Sequence, residues 1–251
     1  MVAQVELRPL RVVEILDRAF KVVKENLQAL MTLALIPAVF TAASHVVGPD
    51  HIGLMMLFGI LGAIAGLYIN LLYLFILADG WHGSPSSISS ARERTTFGLA
   101  VRWCLLSVWV AIIGGLLLLL LIIPGLIYLV NRTLAYTVLV LEGCSISEAL
   151  SNSKMLMTGE RWYKLSSPTM RLGGLWIILM VIWLTGYVLI GALAVPFISE
   201  AGIVSGIAQG AQVFFQSVLS CFGIAALIGF YYDLRNRYEG HDLSQQISQL
   251  S

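Results

Sequence analysis

Of the 251 residues, 58% are hydrophobic and only 12% charged, and the mean hydropathy is +0.87. A water-soluble domain carries about 25% charged residues, so composition excludes one here. A net charge of +1 with no basic tract argues against a nucleic-acid partner, and Cys104, Cys144 and Cys221, in or beside apolar segments, read as packing residues rather than a disulfide framework or metal site.

The chain opens on an amphipathic segment, residues 10–26. Val13, Leu16, Phe20, Val23 and Leu27 recur at helical spacing, while Arg11, Glu14, Asp17, Arg18, Lys21, Lys24 and Glu25 take the other side. This predicts a helix lying on the membrane surface. It does not resemble a cleaved signal peptide, so the first span is expected to direct insertion itself. A bilayer core about 30 Å thick needs about 20 helical residues. Charge-free stretches of that kind predict spans at residues 27–47, 52–78 and 103–123. A short fourth follows at 126–141 after the break Ile123-Pro124-Gly125, then 172–193 and 213–232. Ser145 and Glu148 have capping-box spacing and predict a second surface helix over 145–158; residues 240–251 read as a flexible tail.

Lys and Arg cluster before the first span, between the second and third, between the fourth and fifth, and after the sixth; none occurs in the connections 48–51, 124–125 and 194–202. The positive-inside rule then places both termini in the cytoplasm, with a bacterial-type inner membrane as the expected location. The expected fold is an all-α polytopic bundle of six transmembrane helices, arranged as three hairpins each launched from a basic surface segment.

Two groups of polar residues stand out. Asp79, Glu142 and Asp233 close the returning helices, where a carboxylate opposes the helix dipole by about 0.3 to 1 kcal/mol. Each is expected to pair with a basic residue of a surface segment, with Arg18, Arg94 and Arg161 as candidates, forming a charge lock; solvated headgroup-level charges are the alternative. Inside the spans, Arg132 is the most costly residue, since a central arginine costs about 2.5 to 3.5 kcal/mol on insertion scales. It is expected to face a wet cavity or to snorkel to the outer headgroups. Asn131, Asn70 and the helical stripe Gln209, Gln212 and Gln216 are the other candidates for intramembrane polarity, whether as cavity lining, interhelical glue or an outer lead-in to the last span.

No HExxH, GxxxxGK[ST] or GxSxG pattern occurs, so no catalytic, cofactor or metal residues are assigned. Asp79 with His82 is a weak acid and base pair at most. Four stretches instead carry a likeness: Glu14-Ile15-Leu16-Asp17-Arg18-Ala19-Phe20; Ile123-Pro124-Gly125 with Arg132; Val138-Leu139-Val140-Leu141-Glu142-Gly143 with Glu148-Ala149-Leu150 and Ser153; and Tyr231-Tyr232-Asp233-Leu234-Arg235 running to Glu239-Gly240-His241-Asp242-Leu243. Together they resemble the membrane domain attached to some bacterial glycerophosphoryl diester phosphodiesterases and its stand-alone relatives. Thr133 departs from the aromatic expected there. The resemblance implies a six-helix domain without established catalysis; the family's phosphodiesterase barrel has no counterpart in the chain. The expected function is that of a non-enzymatic accessory subunit or scaffold in the lipid bilayer, whose surface helices meet a membrane or cytoplasmic protein. A carrier for a small amphiphile or lipid-related anion is the alternative, and an intramembrane enzyme the third.

Overall fold

The computed structural model describes residues 10–84, 87–157, 167–198 and 202–250. Its elements are α1 (Val12–Glu25), α2 (Leu27–Val47), a 3-10 turn (Pro49–His51), α3 (Ile52–Trp81), α4 (Ile88–Arg94), α5 (Phe97–Leu120), α6 (Ile122–Arg132), α7 (Ala135–Glu142), α8 (Ile146–Met157), α9 (Pro168–Ile198) and α10 (Ile203–Leu250), with no strand among the described residues. Among the described residues, six stretches are long and apolar enough to cross a membrane: Leu27–Val47, Ile52–Trp81, Phe97–Leu120, Ile122–Glu142, Pro168–Ala192 and Ile203–Tyr238. Aliphatic side chains point outward along them, up to 84% exposed at Leu119. Such surface is costly in water and at no disadvantage against lipid. The protein is an all-α membrane helix bundle.

The chain forms two compact units, one of residues 1–19, 102–176 and 226–251, the other of residues 20–101 and 177–225. In the second unit α2 and α3 make a hairpin through Gly48, whose φ of 68° suits glycine. The Tyr73 hydroxyl donates to the Leu30 carbonyl at 3.2 Å, tying α3 back to α2. Helix α10 meets α2 through Gly206 and Gly210: a Cβ at Gly206 would lie 2.7 Å from the Ala42 carbonyl, and one at Gly210 2.9 Å from that of Ala38. This is the small-residue spacing by which membrane helices bring their backbones together.

In the first unit the α5–α6 hairpin turns on a single residue. Leu121 is extended (φ −152°, ψ 112°) and α6 starts at Ile122, so Pro124 lies inside the first turn of α6 and not at the break expected from its sequence. A proline there sacrifices no helical hydrogen bond, because first-turn N–H groups have no intrahelical acceptor. Gly125 makes the hairpin tight: a Cβ on it would sit 2.6 Å from the Leu118 nitrogen. The fourth span is then interrupted at Thr133 and Leu134, between α6 and α7.

Other boundaries also shift. The second span continues to Trp81, the third begins at Phe97, and the fifth runs from Pro168 to Ile198. Helix α10 is unbroken from Ile203 to Leu250, so the segment expected as a flexible tail is helical through Leu250; apart from Gly240 it contains no helix breaker. The segment expected as a second surface helix is helical, as α8. Its start carries both legs of the capping box, the Ser145 N–H donating to Glu148 at 2.8 Å and the Glu148 N–H to the Ser145 hydroxyl at 3.4 Å.

Helix α1 has three faces, not two. Charged residues occupy one arc; Val13 and Phe20, each 63% exposed, lie on a second with Leu16 and Val23. Ile15, Ala19 and Val22, at i, i+4 and i+7, are buried on a third. The expected apolar stripe is thus the more exposed of the two apolar arcs.

Candidate functional site

Asp79 and Glu142 lie in the last turns of α3 and α7, whereas Asp233, expected at a helix end, lies inside the unbroken α10; each of the three carboxylates meets an arginine. In the second unit Asp79, in the last turn of α3, takes a two-pronged contact from Arg94 at the end of α4: Nη1 donates to Oδ1 at 3.1 Å and Nη2 pairs with Oδ2. The Arg94 guanidinium also lies over the Phe75 ring, 4.7 Å from its centre. Helix α4 is short, but Ser87 caps it by accepting from the Ser90 N–H at 3.1 Å. The pair fastens it to α3.

In the first unit Glu142 closes α7. Its Oε1 accepts from the Tyr231 hydroxyl at 2.7 Å and from Arg235 at 3.1 Å, and its Oε2 from the Asn152 amide at 3.1 Å. The partners come from α10 and α8. Arg102 donates to the carbonyls of Gly143 (3.2 Å) and Cys144 (3.1 Å), satisfying acceptors that the end of α7 leaves open. The Cys144 thiol is held above its ordinary pKa, first by burial and then by the neighbouring Glu142 carboxylate, so it is not an activated nucleophile.

Asp233 is the most enclosed of the three, only 4% exposed. Its Oδ2 meets Arg171 at 2.9 Å and Arg237 at 3.2 Å, while its Oδ1 accepts from the Leu10 N–H at 2.8 Å. Arg171 also donates to the Leu10 carbonyl and sits 5.5 Å from the Phe230 ring centre. Leu10 is thereby strapped to α9 and α10 through both of its backbone polar groups.

Of the arginines expected in the lock, Arg94 lies on Asp79. Arg18 is on the charged arc of α1, where partial burial lowers its pKa. Arg161 falls outside the described residues. Arg171, Arg235, Tyr231 and Asn152 complete the clusters and were not singled out by sequence. The two arginines belong to basic groups flanking spans, but nothing in a linear pattern says which carboxylate each one reaches.

Arg132 ends α6 beside the break in the fourth span. Its Nη1 donates to the Leu150 carbonyl of α8, and its guanidinium lies 5.5 Å from the Tyr128 ring centre. Next to it, the Asn131 carbonyl accepts from the fully buried Ser153 hydroxyl at 2.8 Å. These two bonds dock α8 against the end of α6. The Asn70 amide donates to the Gly66 carbonyl of its own helix at 2.8 Å. Gln209, Gln212 and Gln216 are half-buried on α10, and among the described residues their amides have no hydrogen-bond partner. No group of three or more His, Cys, Asp or Glu side chains suited to a metal occurs among the described residues.

Fold and site together define a multi-pass membrane protein in which Asp79, Glu142 and Asp233 and their arginines tie helices to one another. No protein family, curated protein or solved structure matches the chain.

Proposed function

We propose that this protein is a non-enzymatic scaffold or accessory subunit of a bacterial-type cytoplasmic membrane, with both termini in the cytoplasm and its surface helices forming the docking face for a membrane or cytoplasmic partner. The observation that carries this reading is the consumption of the carboxylates at the span ends by arginines and backbone groups. These contacts fasten Leu10, α4 and α8 to spans, as a pre-organised docking surface requires. The resemblance to a non-catalytic membrane domain points the same way, as does the charged arc of α1, which leaves ionic side chains outward. A charged rim of this kind sets which partner is accepted more than how tightly it is held.

The test is gentle detergent purification followed by mass spectrometry of stoichiometric partners. Reversal of Arg11 and Lys21 on the outward arc should release a partner while leaving the melting temperature in place. A wild-type preparation with no stoichiometric partner would overturn the reading.

The glutamine stripe of α10 favours a second reading, a carrier for a small amphiphile or lipid-related anion, because bare amides in a span call for water, a ligand or a partner. Proteoliposome flux of such an anion, abolished by replacing Gln209, Gln212 and Gln216 together with leucine, would decide for it.

A further inference from the structure

We propose that the second unit holds a specific site for an anionic glycerophospholipid, with one acyl chain in an apolar crevice and the phosphate at Lys24. The crevice has a volume of about 550 Å³, within the range of small-molecule sites. Phe20 and Leu27 form one wall, Ile182 and Gly186 of α9 the second, and Val218 and Phe222 of α10 the third. Among the described residues, Lys24 is the one polar residue of the lining. Within the lining α9 and α10 approach closely, a Cβ on Gly186 being 2.9 Å from Leu219 Cδ2.

The chemistry of the lining selects the occupant. Water in such a slot would find almost no hydrogen-bond partner, whereas a hydrocarbon chain replaces bilayer contacts with equivalent ones. Lys24 supplies the charge. It stands in the last turn of α1, where the chain turns into the first span, and its side chain is exposed at the crevice. Lys21, one turn earlier, pairs with Glu25 at 3.9 Å, while Lys24 has no ion-pair partner among the described residues. An unneutralised ammonium at the rim of an acyl slot matches a lipid phosphate with net negative charge. One such lysine is expected to give a preference of about five-fold over a zwitterionic headgroup. The site does not depend on whether a protein partner docks on the surface helices.

The experiment uses the full chain in phosphatidylcholine vesicles containing a trace of phosphatidylglycerol that carries a photoreactive diazirine on its acyl chain. Phosphatidylcholine with the same chain serves as the comparison. Cross-links should concentrate in residues 182–190 and 215–222, about five-fold more with phosphatidylglycerol. Lys24→Glu should erase that preference and Lys24→Arg should retain it. Lys21→Glu makes the same charge change off the crevice and should also retain it. Val218→Trp fills the slot and should reduce labelling by both lipids while Lys24 remains. Equal labelling by the two lipids, equal effects of Lys21→Glu and Lys24→Glu, or cross-links spread evenly over the outward faces of all spans would each overturn the site.

Discussion

Asp233 and Asp79 present the same motif at two depths, and depth sets what each contributes. The Asp233 and Arg171 side chains are 3% and 10% exposed, those of Asp79 and Arg94 24% and 41%. Removing one partner of a buried pair strands the other charge, at about 3 to 5 kcal/mol, whereas a solvated pair contributes about 0 to 1 kcal/mol. Asp233→Asn should therefore lower the detergent melting temperature markedly and Asp79→Asn hardly at all; a larger effect from Asp79→Asn would refute this assignment of depths. Sequence identified the three carboxylates because each sits at the end of an apolar run; the helix-dipole argument holds for Asp79 and Glu142 but not for Asp233, since α10 continues past it to Leu250. It did not identify Arg171 or Arg235 as their partners, which lie 62 and 93 positions away and are joined to them only by folding. Arg132 shows the same limit: its cost in the membrane was legible, but the relief provided by the Leu150 carbonyl was not.

Among the elements, the α5–α6 hairpin rests on one glycine. Gly125→Ala would press its Cβ into the Leu118 backbone, which has no flexible end to give way. Gly115→Ala on α5, with nothing within 4 Å, should be neutral or slightly stabilising through helix propensity. Melting temperatures of the two variants test this, and equal effects would contradict the close approach at Leu118. The sequence Ile123-Pro124-Gly125 announced a hairpin, yet the turn falls at Leu121, since a proline tolerated inside a first helical turn and one ending a helix look alike in a linear pattern. Helix α8 has a pH signature. Hydrogen bonds from the Ser145 N–H and hydroxyl depress the Glu148 pKa, so the cap is fully present above the ordinary glutamate value and is lost as pH falls through the lower folded value. Amide protection in the first turn of α8 should fall across that acid interval, and Glu148→Gln should flatten the dependence. An unchanged profile in the variant would remove the cap as its cause.

For the whole molecule, six crossings require both ends on one side. In a background with Cys104, Cys144 and Cys221 replaced by serine, single cysteines at Ser89 and Asn236 should label with an impermeant maleimide from the same face, and one at Asp50 from the opposite face. If the Asn236 and Asp50 probes shared a face, the break at Thr133 and Leu134 would be no part of a true crossing. Hydropathy and the positive-inside rule were sufficient for the all-α class and the number of spans, because lipid imposes length and polarity on each span separately. The three faces of α1 escaped that reading: a helix with both an exposed and a buried apolar arc shows a single broad apolar side in sequence, and only burial divides Ile15, Ala19 and Val22 from Val13 and Phe20.

The bare tip at Leu121 also bears on how the chain is made. Leu119, Leu120, Leu121, Ile122 and Ile123 form an unbroken aliphatic cap, so no charged or amide side chain has to pass through the hydrocarbon when α5 and α6 enter the bilayer. The α2–α3 connection, by contrast, holds Asp50. Entry of α5 and α6 as a pair therefore desolvates no ionic group at its tip, and the first charge beyond that tip, Arg132, is met by the Leu150 carbonyl of α8.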